Sequence, residues 1–203
     1  MKIVIVDYGM GNIKSIISAL KYLNVDNVLV SRDKVDIAAC DKLILPGVGS
    51  FGQAISNIRK LELDKILFEE VIEKKKPILG ICLGFQLMTK HSDEDGLSDG
   101  LGFINANIKK FQEKSLKIPH VGFNQVRSPK NSKLYEGLNS MSDFYFTHSY
   151  QAQSSEAINQ AICEYGNEFI VSYEVDNIAG VQFHPELSQT NGLKLLENFI
   201  KNF

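Results

Sequence analysis

The sequence predicts an α/β fold with a mostly parallel central sheet, helices on both faces and added antiparallel strands in the C-terminal half. In the first half, short apolar runs alternate with amphipathic segments, as strands and helices do in a parallel sheet. In the second half, strand-like runs are separated only by turns, which favours antiparallel pairing. A length of 203 residues suits one domain over 1–203.

Each predicted element rests on a local pattern. The helix over 13–23 places five apolar residues at spacings of three and four, on one face, and the last helix repeats this pattern over 191–202. The polar, acidic stretch 92–100 predicts an exposed loop. In chain order, the predicted elements are strand 3–7, helix 13–23, strands 27–30 and 43–46, helices 51–59 and 63–75, a strand through 77–79, a helix from 85, strands 103–111, 117–125, 143–148, 157–164, 169–174 and 178–183, and helix 191–202.

Composition argues against several classes of function. A net charge of −2 provides no basic surface for nucleic acid or anionic membrane. No apolar run approaches the roughly 20 residues that span a bilayer. The three cysteines are widely scattered, which does not indicate a disulfide framework, and no signal peptide precedes the first strand. We therefore expect a cytoplasmic protein.

Cys82 stands between two glycines in the stretch GICLG at 80–84. An apolar strand precedes it and a helix-forming run follows it. This pattern predicts a nucleophile elbow, a tight strand-to-helix turn that presents the side chain at its tip. The first NH groups of the helix and the helix dipole would favour the reactive thiolate. The alternative is a buried core cysteine, but the flanking glycines favour the nucleophile.

A histidine and a glutamate about a hundred residues later supply the rest of a catalytic triad. The apolar strand over 178–183 ends in His184, Pro185 and Glu186. Pro185 favours an extended backbone at His184, and residues two apart in an extended chain point to the same side. Glu186 would therefore orient the His184 imidazole and stabilise its protonated form. The result is a Cys-His-Glu triad.

The segment PGVG at 46–49 follows another apolar strand and predicts part of an oxyanion hole. Its two glycines allow the backbone to turn an NH of Val48 or Gly49 outward. The NH of Leu83, directly after the nucleophile, would be a second donor. Taken alone, the segment is more typical of a plain strand-to-helix loop, and its interpretation depends on the other two motifs.

Two other patterns have simpler interpretations. Gly9 and Gly11 after the first strand resemble the start of a dinucleotide-binding loop, but the third glycine is missing from its expected position. The histidines do not have the spacing of a metal site, and we expect no metal and no cofactor. His91 is interpreted as a surface residue. His120 and His148 fit a structural role as well as a functional one.

Six motifs in chain order carry a resemblance to a known family. PGVG at 46–49, GICLGFQ at 80–86 and QFHPE at 182–186 resemble class I (triad) glutamine amidotransferases. DYGMGN at 7–12, PHVGFN at 119–124 and YFTHSY at 145–150 are similar to the glutaminase subunits of imidazole glycerol phosphate synthases. The resemblance runs from about residue 3 to residue 200. It implies the three-layer, flavodoxin-like fold of that class.

The resemblance also implies hydrolysis of L-glutamine to glutamate, with release of ammonia. Cys82 would attack the side-chain carboxamide. His184 would protonate the departing ammonia and then activate water, while Glu186 holds the imidazole. The residues that would bind glutamine are Gln86, Ser149 and Tyr150.

Ammonia loses its nucleophilicity when it is protonated, so a glutaminase of this kind needs an acceptor site close by. In the resembled family that site belongs to a (β/α)8-barrel cyclase subunit of a heterodimer. Ammonia passes through the barrel, and the products are imidazole glycerol phosphate and aminoimidazole carboxamide ribotide, in histidine biosynthesis. By resemblance, the partner would contact Asn12, His120, Phe123, Asn124, Tyr145 and Leu187. Neither nucleic acid nor a membrane is expected as a partner.

The same loop that forms the oxyanion hole suggests a means of control. If the Val48–Gly49 peptide points the wrong way in the free subunit, glutaminase activity should stay low until the partner and its ligand bind.

Two positions differ from the usual pattern of the resembled subunit. Phe123 stands where the family usually has tryptophan, and Leu187 stands where a lysine or arginine usually follows His-Pro-Glu. That cation normally lies at the subunit interface, and leucine cannot make its charge-assisted contacts. The alternative is therefore a paralogous subunit that supplies ammonia for amidino-sugar formation in surface-polysaccharide synthesis. An alternative of another class is a non-catalytic scaffold or thiol sensor.

Overall fold

A computed structural model describes residues 1–94, 96–112 and 116–203. Within them the chain forms thirteen strands and six α-helices. The strands are β1 (Ile3–Val6), β2 (Val28–Ser31), β3 (Lys42–Leu45), β4 (Ile78–Ile81), β5 (Thr89–Ser92), β6 (Ser98–Asp99), β7 (Ile104–Lys110), β8 (His120–Arg127), β9 (Met141–His148), β10 (Tyr150–Gln153), β11 (Ala161–Tyr165), β12 (Asn167–Val175) and β13 (Ile178–Val181). The helices are α1 (Ile13–Tyr22), α2 (Lys34–Ala39), α3 (Phe51–Lys60), α4 (Leu63–Phe68), α5 (Leu83–Leu87) and α6 (Gln189–Asn202). A π-helical turn (Glu69–Glu73) continues α4, and a 3-10 turn (Pro185–Leu187) precedes α6.

The parallel half of the sheet has the strand order β2-β1-β3-β4-β13. This is the flavodoxin-like order. Because β2 lies on one side of β1 and β3 on the other, the point at which the strand order reverses lies between β1 and β3. Four of the five strands, all except β2, are buried along their whole length, as expected for strands covered on both faces. In such sheets, functional groups gather at the carboxyl ends of the strands. The predicted α/β fold is confirmed.

The second half of the chain adds mostly antiparallel strands, as predicted. β12 pairs antiparallel with β13 and extends the sheet through β10 and β7. β11 leaves β12 on a side branch that continues to the long β8–β9 pair. In this branch His120, the first residue of β8, stands directly opposite His148, the last residue of β9.

The core lies in two layers, one on each face of the sheet. Alternate residues of β1 point to opposite faces: Val4 and Val6 pack into one layer, and Ile3 and Ile5 into the other. The first layer contains the apolar sides of α3, α4 and α5, and the second those of α1 and α6. Sheet and helices therefore form three layers.

The structure differs from the predicted elements in a few places. Helix 63–75 changes to π-helical hydrogen bonding after Phe68. The short elements α2, β5 and β10 were not predicted, because four to six residues are too few to show a clear period. Within the predicted loop 92–100, β6 forms and Ser92 is buried, while residue 95 lies outside the described residues. None of the helices in the described ranges is both long and apolar enough to cross a bilayer.

Candidate active site

Cys82 lies at the tip of a strained turn between β4 and α5. Its backbone angles, φ 54° and ψ −108°, belong to a region that L residues rarely adopt. The Cys82 NH donates to the Val181 carbonyl on β13 at 2.8 Å, which ties the turn to the neighbouring strand. The strand-to-helix turn expected from the sequence is present, and its strain falls on the cysteine itself.

The glycines beside Cys82 provide space for packing. A Cβ on Gly84 would lie 1.8 Å from the carbonyl oxygen of Leu45, and a Cβ on Gly80 would lie 2.5 Å from the methyl group of Met88. The conformational role expected for these glycines is wrong, since neither Gly80 nor Gly84 has a positive φ. They allow the first turn of α5 to press against the ends of β3 and β4.

His184 reaches the same edge of the sheet because β13 pairs in parallel with β4, with Val181 opposite Ile81. The His184 backbone is extended, at φ −101° and ψ 95°, as Pro185 predicted. Its Nδ1 lies 2.9 Å from Oε1 of Glu186, and both side chains are buried. Glu186 sits in the 3-10 turn, so a turn brings the carboxylate to the imidazole where an extended chain was expected.

Ser188 holds this turn in place, and the sequence analysis did not identify it. Its hydroxyl donates to the His184 carbonyl at 2.6 Å and accepts from the Tyr145 NH at 2.9 Å. The His184 NH donates to the Tyr145 carbonyl at 2.9 Å. A buried serine just after the His-Pro-Glu motif was the available signal.

The electrostatic environment keeps the His184 imidazole protonated. Burial lowers the pKa of His184, but the interactions with Cys82 and Glu186 outweigh burial and raise it to about 10. Its Nε2 is buried and has no hydrogen-bond partner among the described residues. Because His184 and Cys82 line the same cavity, a proton on Nε2 is available to a group that leaves a carbon atom attacked by the sulfur.

Gln182 supports the sulfur, a role that the sequence analysis did not assign. Its Nε2 donates to Cys82 Sγ at 3.8 Å, and its Oε1 accepts from Gln86 Nε2 at 2.8 Å. Gln182 is fully buried. The signal in the sequence was an amide at the end of a buried strand, two residues before the triad histidine.

A cavity of about 280 Å³ opens over the sulfur. Eight residues that the sequence analysis assigned to the site line it: Cys82, His184, Val48, Gly49, Leu83, Gln86, Ser149 and Tyr150. Four residues without an assigned role complete the wall: Glu94, Pro119, Thr147 and His148. The structure therefore brings together the expected nucleophile and base, the expected oxyanion loop and the expected glutamine-binding residues, which lie far apart in the chain.

The oxyanion loop is only partly arranged for its expected role. Val48 and Gly49 line the cavity, and Gly49 has a φ of +104°. The Leu83 NH, however, donates to the Gly47 carbonyl at 3.4 Å. The Tyr8 hydroxyl holds the Pro46 carbonyl at 2.6 Å. The Leu83 NH becomes available to a ligand only when the Gly47 carbonyl turns away.

The residues expected at a partner interface fall into three groups, which are exposed, half-buried and buried. Phe123 and Leu187 are exposed by 49% and 40%, and the Phe123 ring meets Tyr145 edge to face at 5.5 Å. The half-buried members are Asn12, Asn124 and Tyr145. His120 is only 3% exposed, because the β8–β9 pairing turns its ring inward. Direct contact of His120 with a partner does not fit this position.

Sequence comparisons identify relatives over nearly the whole chain. A family model described as "Glutamine amidotransferase class-I" matches residues 4–203. "Imidazole glycerol phosphate synthase subunit HisH 1" of Campylobacter jejuni subsp. jejuni serotype O:23/36 is 44% identical over 200 residues, covering 98% of this chain and 99% of that protein. "Imidazole glycerol phosphate synthase subunit HisH" of Aquifex aeolicus is also 44% identical, over 98% of this chain and 96% of that protein. The subunit named HisH 2 of Pseudomonas aeruginosa is 39% identical over 98% of both chains.

Solved structures are similar at lower identity. "Crystal structure of glutamine amidotransferase" superposes with a TM-score of 0.75 at 19% identity, covering 98% of this chain and 97% of that one. "Structure of PurLQS from Thermotoga maritima" superposes with a TM-score of 0.70 at 18% identity, with the same coverage. These likenesses support the fold, and the sequence matches support the family.

The packing role of Gly84 predicts opposite effects for two Gly→Ala substitutions. Gly84→Ala should destabilise the protein by about 3 kcal/mol or more, because its methyl group would overlap the Leu45 carbonyl. Gly52→Ala, in α3 with no atom within 4 Å of the new methyl, should stabilise it by about 0.5 kcal/mol. Urea unfolding of both variants measures the difference. Equal effects of the two substitutions would contradict the packing role.

Proposed function

This chain belongs to the class I glutamine amidotransferases, and we propose that its Cys82–His184–Glu186 triad hydrolyses L-glutamine to glutamate and ammonia. The observation that carries the proposal is the convergence of Cys82 and His184 on one cavity, with Glu186 hydrogen-bonded behind the imidazole. A volume of about 280 Å³ lies at the small end of ligand cavities, which suits a single amino acid.

The reaction follows from the positions of these groups. The Cys82 sulfur attacks the side-chain carbonyl carbon of glutamine and forms a C–S bond. Protonated His184 gives its Nε2 proton to the amide nitrogen, the C–N bond breaks, and ammonia leaves. His184 then takes a proton from water, whose oxygen attacks the thioester and releases glutamate and the thiolate. Glu186 stabilises the imidazolium that exists before the first transfer and again after the second.

Two backbone NH groups would stabilise the negative oxygen of the tetrahedral intermediates. One belongs to Leu83 and the other to the Val48–Gly49 segment. In the structure the Leu83 NH is occupied by the Gly47 carbonyl. We therefore expect low turnover by the isolated subunit, and an increase when a partner shifts the loop.

The partner follows from the chemistry of ammonia and from the surface around the site. Phe123 and Leu187 form an exposed apolar rim with Tyr145, whose backbone bonds to both His184 and Ser188. The relatives that cover nearly the whole chain are named as subunits of imidazole glycerol phosphate synthase. We propose that this rim docks onto a (β/α)8-barrel cyclase subunit, which receives the ammonia and makes imidazole glycerol phosphate for histidine biosynthesis.

Amidino-sugar formation in surface-polysaccharide synthesis is the second candidate role, favoured by one observation. Leu187 is exposed at the rim where the resembled subunits carry a cation, so the surface opposite it must differ in charge. The two roles differ only in the acceptor. In the complex of this chain with its partner, the substrate of the imidazole-forming cyclase should accelerate glutamate release in the first role, and an aminated-sugar precursor in the second.

Substitution of Cys82 tests the glutaminase itself. Cys82→Ala should lower glutamate release in the complex by about 10⁴-fold or more, because no other group can form the thioester. Acivicin, an electrophile that mimics glutamine, should label wild-type Cys82, and glutamine should protect it. The control is Cys40→Ala, which removes a buried cysteine outside the cavity. Labelling that glutamine does not block would favour a thiol sensor.

The α-ammonium group of glutamine requires a negatively charged group in the cavity wall. Glu94 lines the cavity and supplies this charge. Glu94→Gln should raise the KM for glutamine about tenfold, because the carboxylate that pairs with the α-ammonium is replaced by an uncharged amide. Glu94 also accepts from the Phe51 NH at 2.9 Å, so the variant could disturb α3. Glutaramate, which is glutamine without its α-amino group, separates the two effects. The wild type should strongly prefer glutamine to glutaramate, and Glu94→Gln should lose most of this preference; an unchanged preference would contradict the assignment.

A charge on the apolar rim tests the docking surface. Leu187→Glu should weaken the complex with the barrel subunit at least about tenfold, because the interface would bury an unpaired carboxylate. Alkylation of Cys82 by iodoacetamide should stay unchanged, since the triad does not depend on the leucine side chain. The control is Tyr22→Glu, at the far end of α1, where tyrosine is 73% exposed. Calorimetric titration measures both, and wild-type affinity of Leu187→Glu would exclude this rim.

A further inference from the structure

His120 and His148 form a buried pair beside the active site, and the triad chemistry does not use them. They stand opposite each other on β8 and β9, and Nδ1 of His120 lies 3.0 Å from Nε2 of His148. His148 lines the cavity, whereas His120 lies one layer behind it. The two residues come from motifs on separate strands, and only the strand pairing brings them together.

Each ring has a defined set of hydrogen-bond partners. Nδ1 of His148 lies 2.7 Å from the carbonyl oxygen of Tyr150, two residues further along the chain. Nε2 of His120 lies 3.3 Å from Nδ2 of Asn124. That amide is itself oriented, because its Nδ2 donates to the Glu164 carbonyl at 3.0 Å and its Oδ1 accepts from the Gln125 NH at 2.8 Å.

These contacts fix the proton positions when both rings are neutral. Burial lowers the pKa of His120 to about 4 and that of His148 to about 3, so neither ring is charged at neutral pH. A carbonyl oxygen only accepts, so Nδ1 of His148 must carry the proton and its Nε2 must accept. Nδ1 of His120 must then donate to His148, and its Nε2 must accept from Asn124. The chain of donors therefore runs in one direction, from Asn124 to Tyr150.

Aromatic rings enclose this chain of hydrogen bonds. The His120 ring is stacked between Phe146 and Tyr165, at centroid distances of 4.8 and 4.1 Å. The His148 ring contacts Phe111 and Phe169 at 5.4 and 5.5 Å. Such a box leaves little room for either imidazole to rotate or to find water instead.

The bond from His148 to Tyr150 spans the bend between β9 and β10. Ser149 is the single residue between these two strands. The imidazole thus closes a ring around Ser149 and fixes the backbone of Ser149 and Tyr150, which line the cavity next to Cys82.

We infer that His148 is a positioning residue whose Nδ1–H holds the Ser149–Tyr150 wall in the conformation that binds glutamine, and that His120 fixes the uncharged tautomer of His148 that makes this bond. The inference rests on the proposed glutaminase function, and it adds a route from the partner-facing strand β8 to the substrate pocket. Asn124, at the start of this route, follows the exposed Phe123 directly.

Two conservative variants of His148 separate the two halves of the chain. Asparagine can place its amide nitrogen where Nδ1 stands and keep the bond to the Tyr150 carbonyl. Glutamine can place its amide where Nε2 stands, which keeps the contact with His120 and loses the bond to Tyr150. His148→Gln should raise the KM for glutamine about tenfold, whereas His148→Asn should stay within about threefold, as one neutral hydrogen bond predicts.

Two electrophiles distinguish positioning from a general loss of structure. Acivicin needs the glutamine pocket, whereas iodoacetamide needs only the sulfur. In His148→Gln the rate of labelling by acivicin should fall about tenfold relative to that by iodoacetamide, and in His148→Asn this ratio should change less than about threefold. Leu20→Ala, a core variant in α1 far from the cavity, calibrates destabilisation and should leave the ratio unchanged. Equal ratios for the two His148 variants would overturn the inference.

Nitrogen-15 NMR of the wild type tests the chain without substitution. Both rings should appear as neutral Nδ1–H tautomers at neutral pH, the reverse of the form that free histidine favours in water. An Nε2–H tautomer at His148 would overturn the inference even if glutamine is hydrolysed. Failure of the proposed function would look different, because wild-type protein in the complex would then release no glutamate while the tautomers stayed as stated.

Discussion

The parallel pairing of β4 with β13 is the constraint on which the rest of the site depends. With Ile81 opposite Val181, the two strands end at the same height, and the Cys82 NH is bound to the last carbonyl of β13. A shift of β13 by one residue would turn Gln182 and His184 to the other face of the sheet. Cys82 and His184 are thus brought together by backbone hydrogen bonds, before any side chain contributes.

The side chains around the triad keep charged groups inside a buried site. An imidazolium and a carboxylate without partners would be too costly to bury, and here each is the other's partner. Their geometry is held from outside by Ser188, which joins the 3-10 turn to β9. The strained backbone of Cys82 is a further cost, and it persists because α5 is pressed against β3 through Gly84. The buried charges and the strained backbone both lower stability, and both fix the geometry of the site, as expected of a functional site.

The sequence predicted those parts of the fold and site that are encoded locally. The elbow and the His-Pro-Glu segment were recognisable because each lies at the end of an apolar strand, and parallel strands bring such ends to one edge. The contact of His120 with His148, 28 residues further along the chain, depends on the register of β8 with β9, which no local pattern reveals. The same holds for Gly84, whose importance comes from the Leu45 carbonyl on another strand. Ser188 and Gln182 could have been identified from the sequence, because both lie in or next to the recognised QFHPE segment. What was missing was a role for them.

The triad residues already have a fixed geometry, whereas the expected oxyanion loop is not yet arranged to donate its NH groups. This difference explains how a partner could control the site. The triad residues are buried and held by three strands, and His184 and Glu186 are hydrogen-bonded to each other, so these residues need not move. The oxyanion loop is different, because one long hydrogen bond of 3.4 Å from the Leu83 NH to Gly47 keeps its donor occupied. The loop cannot shift as a whole, since the Tyr8 hydroxyl holds Pro46 at 2.6 Å and a Cβ on Gly47 would lie 2.4 Å from that same oxygen. Motion is therefore confined to the peptides that follow Pro46. Glycine at 47 and 49 permits their rotation, and the exposed side chain of Val48 between them offers a docking partner a direct hold on it.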